Sequence, residues 1–178
     1  VKFAFGNEIA KISNLYNVDC YEVIEKGKSN YKRTDIGIPG PVGGPCLEKD
    51  PHILASSTEK AGSNAWISLA SRKTNELQND EISKILKKYL NKIKKNKINI
   101  LFCGLAFKGI PETDDLRGSM GIQMVKLFKT SNKFNHTLFD PIVKNSALKQ
   151  YGKTSTLSSL KSKKFDLVII LNNHPFFK

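Results

Sequence analysis

Between Pro39 and Pro51 the chain carries four of its seven prolines and three of its twelve glycines. That density rules out a helix or strand interior, because proline removes a backbone donor and glycine is entropically costly in regular structure. Gly40, Gly43 and Gly44 open backbone angles closed to other residues, and Pro39, Pro41 and Pro45 fix the angles between them. The stretch is read as a stiff loop of bare backbone ending in a thiol, Cys46, with Lys49 and Asp50 close behind. A thiol used as a nucleophile needs a positive neighbour, which Lys49 can supply. The alternative is a connecting loop that contains a small apolar cysteine, the commonest role of a free cysteine. Composition leaves both readings open.

The chain has 178 residues, enough for one domain or two small ones. Its apolar runs fall far short of the roughly 20 residues that span a bilayer, so no membrane association is expected. It starts with Val1 and shows no basic-then-apolar leader, so it reads as a soluble internal piece of a longer protein. Three cysteines without CxxC spacing suggest neither zinc nor a disulfide framework, and a reducing cytoplasm fits best. The net charge of +13 raises nucleic-acid binding. The lysines, however, are spread along helices and linkers, with no zinc finger, RNP-like strand or helix-turn-helix. A solvated surface is the better reading, with no nucleic-acid partner, and such a surface also draws small anions.

Taken in order, Val1 to Leu15 has apolar residues at 1, 5, 9, 12 and 15, a helical stripe that Asn17 should break. Asp19 should cap a second helix, Cys20 to Glu25, ended by Gly27, with Cys20 packed. Asp50-Pro51 reads as the cap and first position of a third helix, with Ile53, Leu54 and Ala55 as its apolar face. A further helix runs from Ala65 towards Leu77, and Asp80 should cap another that carries Ile82, Leu86 and Leu90. Ile98 to Phe102 is a buried strand. A helix over about Leu116 to Thr130 follows, then a strand at His136 to Phe139 closed by Asp140-Pro141. A short helix within 142–150, a small element over Ser155 to Leu160 and a strand at Phe165 to Leu171 complete the pattern. The predicted class is α/β: an all-helical region over 1–96, then an incomplete Rossmann-like parallel α/β domain over 97–178.

Four segments in this order carry a resemblance. Gly43-Gly44-Pro45-Cys46-Leu47-Glu48-Lys49-Asp50-Pro51 resembles the catalytic-cysteine motif of the UDP-glucose/GDP-mannose dehydrogenases. Phe5-Gly6-Asn7-Glu8 is similar to the Asn-Glu near the end of that family's central helix. Gly104-Leu105-Ala106-Phe107-Lys108 with Asp114-Asp115-Leu116-Arg117-Gly118-Ser119 resembles the opening of its nucleotide-sugar domain, and Phe139-Asp140-Pro141 the end of the next strand. The resemblance implies a fragment of an NAD-dependent nucleotide-sugar 6-dehydrogenase. Such an enzyme oxidises a C6 alcohol to a carboxylate, with NAD held mainly by an N-terminal domain whose Gly-rich turn has no counterpart here.

The resemblance further implies roles for individual residues. Cys46 would form a thiohemiacetal and then a thioester, Lys49 would favour its thiolate, and Asp50 would orient water or a lysine, or merely cap the helix at Pro51. Gly40, Gly43 and Gly44 would form a shelf for the UDP-sugar. Lys108 and Arg117 would contact the nucleotide sugar, against the alternatives of a surface lysine and an arginine paired to Asp115. Phe107 would pack on the sugar nucleotide or fill the core, and Arg33 would reach a partner subunit's substrate. The helical region would form a homodimer. The competing expectation is a non-catalytic dimerisation and nucleotide-sugar-binding module.

Overall fold

The computed structural model describes residues 1–31, 33–129 and 131–178. They divide into two compact units, Val1–Gln78 and Asn79–Lys178. The first is helical: α1 (Lys2–Tyr16), α2 (Cys20–Lys28), α3 (Pro45–Lys60) and the first half of α4 (Trp66–Leu90). Asn17 ends α1 in the left-handed region, and Asp19 caps α2 by accepting from Tyr21 N at 2.7 Å and Glu22 N at 3.4 Å, both as expected.

Other boundaries differ from expectation. Gly27 lies inside α2, whose last turn is braced by Lys26–Glu22 and Lys28–Glu25 ion pairs. Helix α3 starts at Pro45 rather than at Pro51. Gly44, with φ of 110°, turns the chain into it, and a proline at the first position forfeits no helical hydrogen bond. Asp50 is therefore not an N-cap, and Pro51 sits inside the helix, offering no N–H to the Leu47 carbonyl. The predicted break between two helices near Asp80 is absent: α4 runs through it, and Asn79 is buried with Nδ2 donating to the Met120 carbonyl at 2.8 Å.

The apolar stripes of this unit also face the other way. Val1 at the start of α1, Phe5, Ile12 and Leu15 on it, and Ile53 and Leu54 on α3 are exposed. Its buried side chains, among the described residues, are Ala4, Ile24 and the polar Asn7, Ser13, Arg72 and Asn75.

The second unit holds a four-stranded parallel sheet in the order β3-β2-β1-β4, built from β1 (Ile98–Cys103), β2 (Phe134–Phe139), β3 (Lys153–Thr154) and β4 (Leu167–Ile170). Alternation along β1 sends Ile98, Ile100 and Phe102 to one face and Leu101 and Cys103 to the other. The first face packs on α5 (Met120–Lys129) through Ile122, Val125 and Phe128, on Leu90 of α4, and on Leu148 of α6 (Asn145–Leu148). The Phe102 and Phe128 rings meet edge-on at 5.6 Å. The second face gathers Leu101, Cys103 and Phe139 under Leu160 of α7 (Leu157–Leu160) and Phe177 of a final 3-10 turn (Pro175–Phe177).

Strand β3 spans two residues and carried no sequence signal. Helix α5 starts at Met120, not Leu116, because Leu116–Ser119 forms a turn with Gly118 at positive φ. Its expected end at Thr130 lies outside the described residues. The parallel sheet with helices on its faces is the Rossmann-like arrangement expected of this region. Among the described residues no helix is long and apolar enough to cross a membrane.

Candidate active site

In the first unit, Cys46 is exposed in the first turn of α3. The N–H groups of a first helical turn have no intrahelical partner, so this end of α3 favours negative charge. Lys49 and Asp50 stand three and four residues on, which puts them on the helix face of Cys46. Their side chains form an ion pair at 2.6 Å. The hydrogen bond to Asp50, then attraction to its charge, hold the Lys49 ammonium above its ordinary value, with a smaller contribution from Cys46. Lys49 is thus a paired cation rather than a lone neighbour of the thiol.

The loop before α3 is tied down by an amide chain. Gly40 N donates to Asn7 Oδ1 at 2.8 Å, and Asn7 Nδ2 donates to Asn75 Oδ1 at 3.0 Å. Asn7 is 1% exposed. A Cβ on Gly6 would lie 2.0 Å from the Gly37 carbonyl oxygen, so a side chain there would force α1 off the loop. Beside Gly40 a Cβ would meet nothing within 4 Å, so its Cα face is uncovered although its N–H is taken by Asn7. Gly43 is half-buried and Gly44 buried.

A cavity of about 110 Å³ beside this loop is lined by Val42, Leu47, Pro51, Arg72 and Asn75, among others. Arg72 is buried; its Nε donates to Glu76 at 2.8 Å, and its NH1 has no hydrogen-bond partner among the described residues. Sequence reasoning missed Arg72 and Asn75, which sit mid-helix without any local pattern. Arg33 lies exposed in the turn after α2.

In the second unit, Phe107 and Lys108 follow β1, at the carboxyl edge of the sheet where α/β folds bind ligands. Both are half-buried, and Lys108 Nζ lies 5.2 Å from the centre of the Phe107 ring. The loop's own N–H groups are largely used. Gly104 N donates to the Phe139 carbonyl, Leu105 N and Ala106 N to Asp140 Oδ2 at 2.6 and 3.2 Å, and Phe107 N to the Asp115 carbonyl. Asp140 Oδ1 also accepts from Ile142 N and Val143 N, both at 2.9 Å. What the loop has left to offer a ligand is therefore the Phe107 and Lys108 side chains rather than these N–H groups.

Arg117 does not open a helix. It stands in the turn before α5, and its guanidinium clasps Asp115 through Nε at 3.0 Å and NH2 at 2.7 Å. The Arg117 side-chain bonds, then its backbone N–H, hold the Asp115 carboxyl below the usual carboxylate range. The paired alternative is thus the arrangement present, and Arg117 would have to share Asp115 to reach a phosphate.

Cys103 is buried at the end of β1, and burial, then the Asp140 charge, push its thiol up to about 11. A cavity of about 680 Å³ opens at the opposite edge of the sheet, between Asn99, Asn135, Lys153 and Lys163. Among the described residues no group of three His, Cys, Asp or Glu could hold a metal. Nor do these residues fit a dinucleotide: the turn after β1 continues from Gly104 into Leu105, Ala106 and Phe107, where such sites need bare backbone.

Comparison with known proteins matches both units. Residues 1–77 match the central domain of the UDP-glucose/GDP-mannose dehydrogenase family, and residues 101–178 its UDP binding domain. The chain is 33% identical to the UDP-N-acetyl-D-mannosamine dehydrogenase of Pyrococcus horikoshii, covering 100% of this chain and 40% of that protein. It is 30% identical to the UDP-N-acetyl-D-glucosamine 6-dehydrogenase of Salmonella typhi, again over 100% of this chain and 41% of that protein. Among solved structures, a UDP-glucose dehydrogenase from Pyrobaculum islandicum superposes with a TM-score of 0.81 at 25% identity, over 99% of this chain and 41% of that one. The chain thus spans about 40% of the length of the curated relatives it matches. With its central and UDP-binding regions both matched in order, the chain belongs to the UDP-glucose/GDP-mannose dehydrogenase family.

Proposed function

We propose that this chain is the central and nucleotide-sugar-binding part of an NAD-dependent UDP-sugar 6-dehydrogenase. The carrying observation is Cys46, exposed at the start of α3 directly after the glycine loop, with the Lys49–Asp50 pair on its helix face. NAD, held by other parts of a longer protein, supplies the hydride acceptor.

The residues here handle the carbon. Once the C6 alcohol has become an aldehyde, the Cys46 sulfur adds to it, forming a C–S bond, and the carbonyl oxygen takes a proton. That thiohemiacetal is an alcohol again and can lose a second hydride and a proton to become a thioester. Water then breaks the C–S bond, releasing the carboxylate and restoring the thiol. The unpaired N–H groups at the start of α3 are suited to the negative charge that develops in these steps. In this reading Asp50, paired with Lys49, orients the water, and Lys108 and Phe107 are, in their own unit, the groups that recognise UDP.

In the full-length enzyme, Cys46→Ser is expected to lower net acid formation by roughly 10³-fold or more. Unchanged acid production would sink the thioester route. The 178-residue chain alone should not reduce NAD, and NADH formation by it would overturn the assignment of the cofactor to other parts of the protein.

The exposed apolar side chains of the first unit favour a homodimer through that unit, which is also what a non-catalytic dimerisation and nucleotide-sugar-binding module would show. Light scattering on the chain decides the dimer, and a strict monomer counts against it. The Cys46→Ser assay separates the enzyme from the module.

A further inference from the structure

The segment after β4 does more than close a strand. Asn172 Oδ1 accepts from His174 N at 3.2 Å, which folds Asn172–His174 into a tight turn. That turn grips the Gly104–Gly109 loop at three points. Asn172 Nδ2 donates to the Ala106 carbonyl at 3.2 Å, and Asn173 Oδ1 accepts from Gly109 N at 3.3 Å. Gly104 and Gly109 lie so close to it that a Cβ would fall 2.5 Å from Asn172 Oδ1 and 2.1 Å from His174 N.

His174 is itself fixed. It is buried and its Nδ1 accepts from Phe176 N at 3.1 Å, while its Nε2, 3.4 Å from Glu112 Oε1, makes no hydrogen bond among the described residues. The grips at 106 and 109 bracket Phe107 and Lys108. Asp140 holds the same loop from β2, on the other side of β1.

We infer that the Asn172–His174 turn is a positioning element for nucleotide-sugar binding: it fixes the Gly104–Gly109 loop so that Phe107 and Lys108 stand in their binding arrangement before ligand arrives. This rests on the UDP-sugar reading of that loop. A loop ordered in advance loses less conformational freedom on binding, so affinity is the quantity the turn controls. Asn173 acts through the Gly109 N–H on the backbone that carries Lys108, not by touching ligand.

The test is calorimetric titration of UDP into the 178-residue chain and its variants at about 0.5 M salt, where long-range charge is screened. Lys108→Ala is expected to weaken binding. Asn173→Ala should weaken it roughly fivefold, the effect of one lost hydrogen bond. Asn173→Asp keeps the acceptor for Gly109 N and should stay within about twofold of wild type. In the Lys108→Ala background Asn173→Ala should cost clearly less than in wild type, leaving only the part that acts through Phe107, which a general loss of stability would not reproduce.

Wild-type affinity in Asn173→Ala, or a full additive loss in the double variant, overturns the inference while leaving the UDP site intact. If wild type fails to bind UDP, or Lys108→Ala leaves binding unchanged, the UDP-sugar reading falls first and the inference with it. Should circular dichroism show Asn173→Ala unfolded, Asn172→Asp replaces it, since it removes the donor to Ala106 and keeps Oδ1. Unchanged affinity in that variant is equally fatal.

Discussion

The two units bury opposite kinds of side chain. Unit Asn79–Lys178 buries Phe102, Met124, Phe128 and Leu138 around a parallel sheet, as a self-sufficient domain does. Unit Val1–Gln78 buries Asn7, Arg72 and Asn75 and leaves Phe5, Trp66 and Ile67 in solvent. One unit draws its stability from its own apolar core. The other uses its interior to hold the Cys46 loop by amide hydrogen bonds and presents apolar surface outward. The difference teaches that helical periodicity marks a face that wants cover, without saying whether this chain provides it.

The sharpest way to break this contrast is a pair of aromatic truncations. Phe102 is 0% exposed, and Phe102→Ala should cost about 3–5 kcal/mol of stability in a urea titration. Trp66 is 71% exposed, and Trp66→Ala should stay within about 0.5 kcal/mol for the monomer while weakening any self-association seen by sedimentation. Equal losses would mean that the first unit has a core of its own.

Thiol labelling gives the next largest effect. At pH 8 a thiol pushed up to about 11 is ionised to roughly one part in a thousand, and Cys103 is buried as well. Iodoacetamide followed by peptide mass mapping should modify exposed Cys46 at least about 100-fold faster than Cys103. Comparable rates would show that the sheet domain opens readily.

Asp140→Ala removes the acceptor of four backbone N–H groups and should cost about 2–4 kcal/mol by the same urea titration. A loss under about 0.5 kcal/mol would show that the β1 loop does not depend on this carboxylate.

The smallest effect is in pH. Burial, then the Lys129 charge, depress the His136 pKa in the folded state, while backbone bonding to Tyr151 opposes them. The unfolded chain therefore binds more protons as pH falls below 6.5, and stability present above that value declines towards the lower folded value. Thermal midpoints from pH 7.5 to 5.5 should show this slope, and His136→Gln should flatten it. An unchanged slope would assign the titration elsewhere.

Much of the sheet domain was legible because each signal was local. The apolar run at 98–102, the Asp-Pro that closes a strand at Phe139 and the run 168–170 inside the strand expected over 165–171 are local signals, although β2 starts at Phe134 rather than His136 and β4 spans only Leu167–Ile170. The start of α3 was misread because two prolines compete for the first position, and the one at 51 follows a better capping residue. The structure chooses Pro45, since Gly44 alone supplies the φ that turns the loop into a helix. Asp80 looked like a cap because nothing nearby announces the Met120 carbonyl that holds its neighbour Asn79 from 41 residues away. The Cys46 motif was visible, but the Lys49–Asp50 pairing was not. Residue order does not say which charge a lysine will choose.

The sheet's register also sets a timetable for synthesis. Strand β1 is central, yet its β4-side anchor Asp166 comes 67 residues after Asn99. At roughly 5–20 residues per second, a ribosome needs several seconds to deliver that partner. In that interval β1 and β2 can pair while one apolar edge stands open, and the exposed apolar side chains of the first unit have already been made. The dense lysines of this chain, with a net charge of +13, would then repel neighbouring nascent copies at the stage when sticking is most dangerous.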